Sequence, residues 1–172
     1  MIQLVRPNLD FAGQIMDFRR ELLEADDDSA FAGCSWLEDY EDVSSWLAFL
    51  ERERNPQTSR GVSSDTWLAV RTEDNRLVGM IDLRHHIDHP ILGVWGGHMG
   101  YTVRPSERRK GYATRMLRLN LDKCRERGME KVLLTCDEHN FASERTILAN
   151  GGVYEQTICV DGDRIKRYWI TL

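Results

Sequence analysis

The chain has 172 residues and a formal net charge of −5 at pH 7, with 41% hydrophobic and 30% charged residues. This composition excludes a disordered chain, and the length predicts one domain spanning residues 1–172. The longest segment without an ionised residue, 89–103, is too short for a membrane-spanning helix of roughly 20 residues. The N-terminus lacks the basic and apolar regions of a secretory signal, so we expect a cytoplasmic protein.

The apolar periodicity predicts the elements of a mixed domain. In chain order these are helices over 9–25 and 42–52, strands over 66–71, 77–83 and 98–103, a helix over 110–127, a strand over 131–136, a helix capped by Asn140 and reaching 149, and strands over 153–160 and 164–172. The segment 85–97 has no periodicity and is expected to be a loop. This order predicts an α/β or α+β fold with a mixed, mostly antiparallel central sheet flanked by helices.

The charge is distributed unevenly along the chain. Residues 1–42 contain 3 basic and 11 acidic residues, whereas residues 104–131 contain 10 basic and 4 acidic residues. One block is therefore suited to an anion and the other to a cation, although two solvent-exposed helix faces would give the same pattern. The acidic total disfavours a nucleic-acid partner.

The segment 103–114 joins a predicted strand to a predicted helix and is the strongest candidate for a binding site. Free N–H groups at a helix N-terminus bind anions, and Gly111 and Ala113 let the backbone approach a ligand closely. The run Arg108-Arg109-Lys110 would be unfavourable there, by about 0.3–1 kcal/mol for each charge, unless an anion were bound. The glycine patterns of dinucleotide-binding sites and P-loops are missing from the sequence.

The spacing Arg108-x-x-Gly111-x-Ala113, preceded by Val-Arg-Pro, resembles the [Gln/Arg]-x-x-Gly-x-[Gly/Ala] signature of the GNAT N-acetyltransferases. Asn140-x-x-Ser143 resembles the second, weaker motif of that family. The similarity runs from the first predicted strand to the end of the chain. The segments 100–105 and 110–114 are similar to those of the branch that includes ribosomal-protein and small-molecule N-acetyltransferases.

The resemblance implies a GNAT fold and acetyl-CoA as cosubstrate. It implies that backbone N–H groups of the signature loop hold the pyrophosphate, and that the pantetheine arm runs along the strand that carries Tyr101. The implied cofactor-binding residues are Tyr101, Val103, Arg108, Arg109, Lys110, Gly111, Tyr112, Ala113, Thr114, Asn140 and Ser143.

The reaction needs an uncharged amine, stabilisation of an oxyanion, and a proton for the thiolate unless the thiolate leaves unaided. His98 is the candidate base, since it lies near a position where family members often have an acid and its imidazole titrates near neutrality. The alternative is a packed histidine with no catalytic role. Relatives often have a tyrosine acid where Ile147 stands here. Tyr154 is the candidate substitute, unless the thiol, with a reference pKa of about 8.5, leaves as thiolate.

Two further segments have functional interpretations. The segment 82–89 contains three histidines and two aspartates, but their spacing does not align them as ligands, so we expect no metal site. It either borders the acceptor pocket or is a solvated connection. Cysteines at positions 34, 124, 136 and 159 are too widely spaced for a zinc site and are expected to be buried thiols.

The nine acidic residues between Glu21 and Asp42 lie where the first two helices of the family wall the acceptor site. An acidic wall would attract a cationic amine. We therefore expect acetyl transfer from acetyl-CoA to a primary amine, either a small cationic amine or a peptide amine, by direct attack. The alternative is a non-catalytic CoA-binding or sensing module, and a homodimer is left open.

Overall fold

The computed structural model describes residues 1–25 and 31–172, which form seven strands and four α-helices. The elements are β1 Ile2–Val5, α1 Ala12–Glu24, α2 Val43–Arg54, β2 Ser64–Arg71, β3 Arg76–Arg84, β4 Tyr101–Val103, α3 Tyr112–Glu126, β5 Lys131–Asp137, α4 Phe141–Leu148, β6 Val153–Val160 and β7 Asp163–Thr171. No helix among these is long and apolar enough to cross a membrane.

The strands form two antiparallel sheets. The first has the order β1-β2-β3-β4 and the second the order β5-β7-β6, so β4 and β5 are the edge strands of their sheets. The two edges meet at His98, whose backbone N–H donates to the carbonyl of Leu133 at 2.8 Å. The expected α/β fold with antiparallel strands flanked by helices is confirmed, with the central sheet divided between β4 and β5.

The core has two sides because successive strand residues point to opposite faces of a sheet. Leu68 and Met80 of the first sheet pack against Phe18 of α1 and Trp46 of α2. Met116 of α3 packs against the opposite face of that sheet. The next residue of α3 joins the core of the second sheet, so α3 spans both sheets.

Three local features differ from the sequence-based expectation. Strand β1 was not predicted, because its four residues show no distinctive pattern and its pairing with β2 is long-range. The strand expected over 98–103 begins only at Tyr101. The expected loop contains a π-helical turn, Leu92–Gly96, whose backbone oxygens accept hydrogen bonds from Arg84, Thr135 and Arg167.

Candidate active site

The loop between β4 and α3 exposes the helix N-terminus. Arg109 and Gly111 have left-handed backbones, with φ of 66° and 78°, and they turn the chain into the first residue of α3. No side chain of the described residues caps this helix. The N–H groups of Tyr112, Ala113 and Thr114 therefore start α3 without an intrahelical or side-chain acceptor, which is the arrangement that binds a phosphate.

The basic residues of this loop have different environments. Lys110 donates to the buried carboxylate of Glu107 at 2.8 Å, and Arg71 donates to the same oxygen at 3.0 Å. Burial acts to raise the pKa of Glu107, but these hydrogen bonds outweigh it and hold that pKa below its usual value. Arg108 donates to the carbonyl of Val103 at 3.3 Å. Arg109 is exposed, so its charge faces solvent at the helix N-terminus.

The gap between β4 and β5 is bordered by the second predicted motif. The Tyr101 hydroxyl lies 2.7 Å from the Ser143 hydroxyl, which connects β4 to α4. Asn140 caps α4, since its side-chain oxygen accepts from the Ser143 N–H at 3.0 Å. Burial raises the pKa of Tyr101 well above its usual value, so the phenol is neutral. The structure therefore brings Tyr101, Ser143 and Asn140 together beside the free edge of β4.

His98 does not have the geometry of a general base. Its Nδ1 accepts a hydrogen bond from the Leu133 N–H at 2.8 Å, and the residue is only 6% exposed. Burial lowers the pKa of His98 to about 4. A neutral imidazole that accepts at Nδ1 carries its proton on Nε2, so neither nitrogen has a lone pair available for an amine proton. His98 instead joins the two sheets through both hydrogen bonds with Leu133.

The two positions considered for a general acid also differ from the expectation. Ile147 is fully buried in the core of the second sheet, and no phenol occupies that place. Tyr154 lies on β6, the outermost strand, is 53% exposed, and bonds Thr157 through its hydroxyl at 2.9 Å. Two strand spacings, about 10 Å, separate its backbone from β5. The structure therefore does not place Tyr154 beside the β4–β5 gap.

A buried tyrosine, Tyr168, was not considered from the sequence. Tyr168 of β7 donates to Glu144 of α4 at 2.5 Å, and Lys166 contacts the same carboxylate oxygen at 2.9 Å. Burial and the Glu144 hydrogen bond raise the pKa of Tyr168. These contacts hold α4 against the second sheet and so fix the position of its N-terminal residues.

The segment after α1 contacts the chain just before β4. The backbones of Gly33 and Gly100 are in direct contact. They are so close that a Cβ added to Gly33 would overlap the carbonyl oxygen of Gly100. The N–H of Gly100 donates to the carboxylate of Asp82 at 2.5 Å, and the carbonyl of Gly100 accepts from the Asp82 N–H at 3.1 Å, so Asp82 holds Gly100 through both its side chain and its backbone. Cys34 is fully buried, and burial together with the charges of Glu38 and Asp82 raises its pKa. Neither this glycine contact nor the role of Asp82 was expected from the sequence.

The acidic residues of this region have separate roles. Glu21 accepts from Arg104 at 2.7 Å, and Asp42 caps α2 by accepting from the Ser45 N–H at 2.8 Å. One carboxylate oxygen of Glu38 is buried and has no hydrogen-bond partner among the described residues. Burial raises the pKa of Glu38, and the neighbouring charge of Asp39 acts in the same direction. Three of the nine acidic residues, at 26–28, lie outside the described residues.

The histidine-rich segment is held by local contacts. The ring nitrogens of His85 lie 2.9 Å from the Ser63 hydroxyl and 3.0 Å from Asp65, and the Nδ1 of His89 accepts from the Ile91 N–H at 3.2 Å. Within the described ranges, no group of three or more His, Cys, Asp or Glu side chains could hold a metal ion.

Comparisons with known proteins identify the family. Residues 19–151, well over half of the chain, match the family described as Acetyltransferase (GNAT) family. The chain belongs to the GNAT acetyltransferase family. A search of curated protein sequences finds no match.

Solved structures that contain CoA or acetyl-CoA share the fold of this protein. Mycobacterium smegmatis RimJ, in complex with CoA-disulfide, has a TM-score of 0.70 and 20% identity over 99% of this chain and 81% of its own. The self-immunity acetyltransferase MccE, in complex with acetyl-CoA and AMP, has a TM-score of 0.68 and 16% identity over 99% and 92%. The ribosomal-protein alpha-N-acetyltransferase RimL, in complex with coenzyme A, has a TM-score of 0.67 and 15% identity over 99% and 94%. These likenesses confirm the GNAT fold.

Proposed function

We propose that this GNAT protein transfers the acetyl group of acetyl-CoA to a primary amine by direct attack. The observation that carries the proposal is the uncapped N-terminus of α3 beside the free edge of β4. A diphosphate fits the first feature and an extended thioester arm fits the second. Neighbours solved with CoA or acetyl-CoA, and the ribosomal-protein acetyltransferase RimL among them, support the same cosubstrate and an amine acceptor.

Acetyl-CoA binding rests on the signature loop. The N–H groups of residues 112–114 would bind the pyrophosphate oxygens, and Arg109 would add a charge from the exposed side of the loop. The edge of β4 from Tyr101 to Val103 would bind the pantetheine arm through its backbone groups. The same edge supplies N–H groups that can stabilise the oxyanion formed when the amine attacks the thioester carbonyl.

In the reaction a C–N bond forms to the acetyl carbon and the C–S bond breaks. The amine must lose a proton, and Glu38 is the base that we assign in place of His98. It lies on the acceptor side near Cys34, has a buried oxygen without a partner among the described residues, and has a raised pKa because of burial. The CoA thiol can leave as thiolate, since the reference pKa of a thiol is about 8.5, and the neutral Tyr101 phenol at the β4–β5 gap would donate a hydrogen bond to the departing sulfur.

Two experiments test this proposal. Thermal shift with acetyl-CoA, CoA and ATP should show stabilisation by both CoA compounds and none by ATP, and no CoA-dependent shift would refute the cosubstrate. The pH–rate profile of an amine acceptor should lose its acidic limb in Glu38→Gln and keep it in Glu41→Gln, a matched change three residues away. An unchanged limb in Glu38→Gln would exclude this base.

The second candidate function is a CoA-binding or sensing module without catalysis. Buried Ile147, which stands where relatives often carry a tyrosine acid, favours it. In that case both CoA compounds would stabilise the protein, but no amine would release CoA from acetyl-CoA.

A further inference from the structure

A cleft of about 490 Å³ lies between the segment after α1 and the outer face of α2. Its lining combines three aromatic rings, two carboxylates and one guanidinium, from Trp36, Asp39, Tyr40, Phe49, Glu53 and Arg60. The Tyr40 and Phe49 rings are 5.6 Å apart between centroids, so two of the three rings form one wall. None of these residues belongs to the predicted CoA loop.

Trp36 is held outward in a costly conformation. It is 64% exposed, and both it and Ser35 have left-handed backbones, with φ of 61° and 49°. The segment cannot relax easily, because the Ser35 carbonyl accepts from Trp46 at 3.0 Å and the Glu38 carbonyl accepts from Arg19 at 2.7 Å. Strained backbone conformations that the surrounding structure enforces are typical of ligand sites.

The lining of the cleft carries two carboxylates, Asp39 and Glu53, against one guanidinium, Arg60, so its formal charge is −1. Glu53 is already engaged, since it contacts Arg52 at 3.3 Å and accepts from the Arg60 N–H at 3.2 Å. The Asp39 carboxylate is exposed and pairs with no side chain of the described residues. A free carboxylate beside an exposed indole face is the combination that binds an ammonium group.

The cleft lies close to the acceptor side of β4. Gly33 touches Gly100 just before that strand, and Trp36 lies three positions after Gly33, a span of at most about 11 Å. Ser35 also contacts Thr66 at 2.7 Å, and Thr66 is the register partner of Asp82, which binds Gly100. These contacts bring the segment that lines the cleft against residues that flank the edge of β4.

We propose that this cleft binds a second cationic group of the acceptor. This rests on the proposed function and narrows its substrate class. The acceptor carries one amine that is acetylated at β4 and a second ammonium that lies between Trp36 and Asp39. An aliphatic diamine or polyamine has this chemistry, and so does a peptide with a basic side chain near its free N-terminus.

Paired acceptors test the subsite. The rate of CoA release should give hexamethylenediamine a kcat/KM at least about tenfold above that of hexylamine. The ratio should fall towards one in Asp39→Asn and in Trp36→Ala, and it should persist in the control Glu41→Gln. A preference for alanyl-lysine over alanyl-alanine, without the diamine preference, would assign the subsite to peptides. Equal kcat/KM within both pairs, or a preference that Asp39→Asn retains, would overturn the proposal.

Calorimetry with hexamethylenediamine separates this inference from the proposed function. Binding that wild type shows and Asp39→Asn lacks would support the subsite even if no amine were acetylated. Absence of binding to the CoA-loaded wild type, which cannot acetylate the diamine, would overturn the subsite while leaving acetyl transfer to monoamines intact. The melting temperature of each variant should match that of wild type, since all three side chains are exposed.

Discussion

Lowering the pH from 7 to 4 is expected to destabilise the protein by about 3 kcal/mol through His98. Burial lowers the pKa of His98 from 6.5 to about 4 in the folded protein, and protonation of Nδ1 would break its hydrogen bond from Leu133. The unfolded chain therefore binds the proton more readily, so stability is full above pH 6.5 and falls as the pH drops towards 4. The pKa values of His98 in the unfolded and folded chain differ by about 2.5, and each pKa unit corresponds to about 1.4 kcal/mol. Most of this difference is lost from the free energy of unfolding by pH 4.

Urea unfolding at pH 7 and pH 4 measures this effect, with His98→Asn as the control. The asparagine oxygen can still accept from the Leu133 N–H and does not titrate. The loss of stability in wild type should exceed that in His98→Asn by about 3 kcal/mol, because the other titrating groups cancel in the difference. His98→Leu removes the acceptor and should cost about 1–3 kcal/mol at pH 7. Equal pH dependence in wild type and His98→Asn would refute this account of the sheet junction.

Three further predictions concern the other parts of the site. Gly33→Ala should lower the free energy of unfolding in urea by about 2–5 kcal/mol, because of the left-handed backbone of Gly33 and the overlap of a Cβ with the carbonyl of Gly100. The control Gly13→Ala in α1 should raise it by about 0.5–1 kcal/mol. A loss below about 1 kcal/mol in Gly33→Ala would exclude the close contact. Arg109→Ala should weaken acetyl-CoA binding, measured by calorimetry, more than Lys110→Ala does, because Lys110 is paired with the buried carboxylate of Glu107. The reverse order would contradict the proposal that the Arg109 charge faces the ligand. Tyr101→Phe should lower kcat by about tenfold with acetyl-CoA, and an unchanged kcat would exclude its hydrogen bond to the departing sulfur.

Helix α3 and its loop were predictable because their determinants are local. The recurrence of Met116, Leu117, Leu121 and Cys124 marks one face, and all four are buried in the structure. Gly128 ends the helix with a φ of 73°, as a residue just past a helix C-terminus often does. Anion binding at a helix N-terminus likewise depends on adjacent residues, so the candidate loop could be found from the sequence.

The acceptor side was not predictable because its determinants are long-range. The contact between Gly33 and Gly100 joins residues from distant parts of the chain, and no local pattern specifies it. His98 was misassigned for the same reason, since its partner Leu133 lies on another sheet. Its sequence neighbours show an imidazole near a strand, but not the hydrogen bond that occupies its lone pair.

The most direct test of acetyl transfer is a CoA-release assay with acetyl-CoA and a panel of amines, including diamines, amino sugars and peptides with free N-termini. The account predicts thiol release that depends on the amine, with the acetylated amine detected by mass spectrometry in equal amount. Binding of acetyl-CoA without release of CoA in the presence of any amine would contradict it and would identify a CoA-binding module instead.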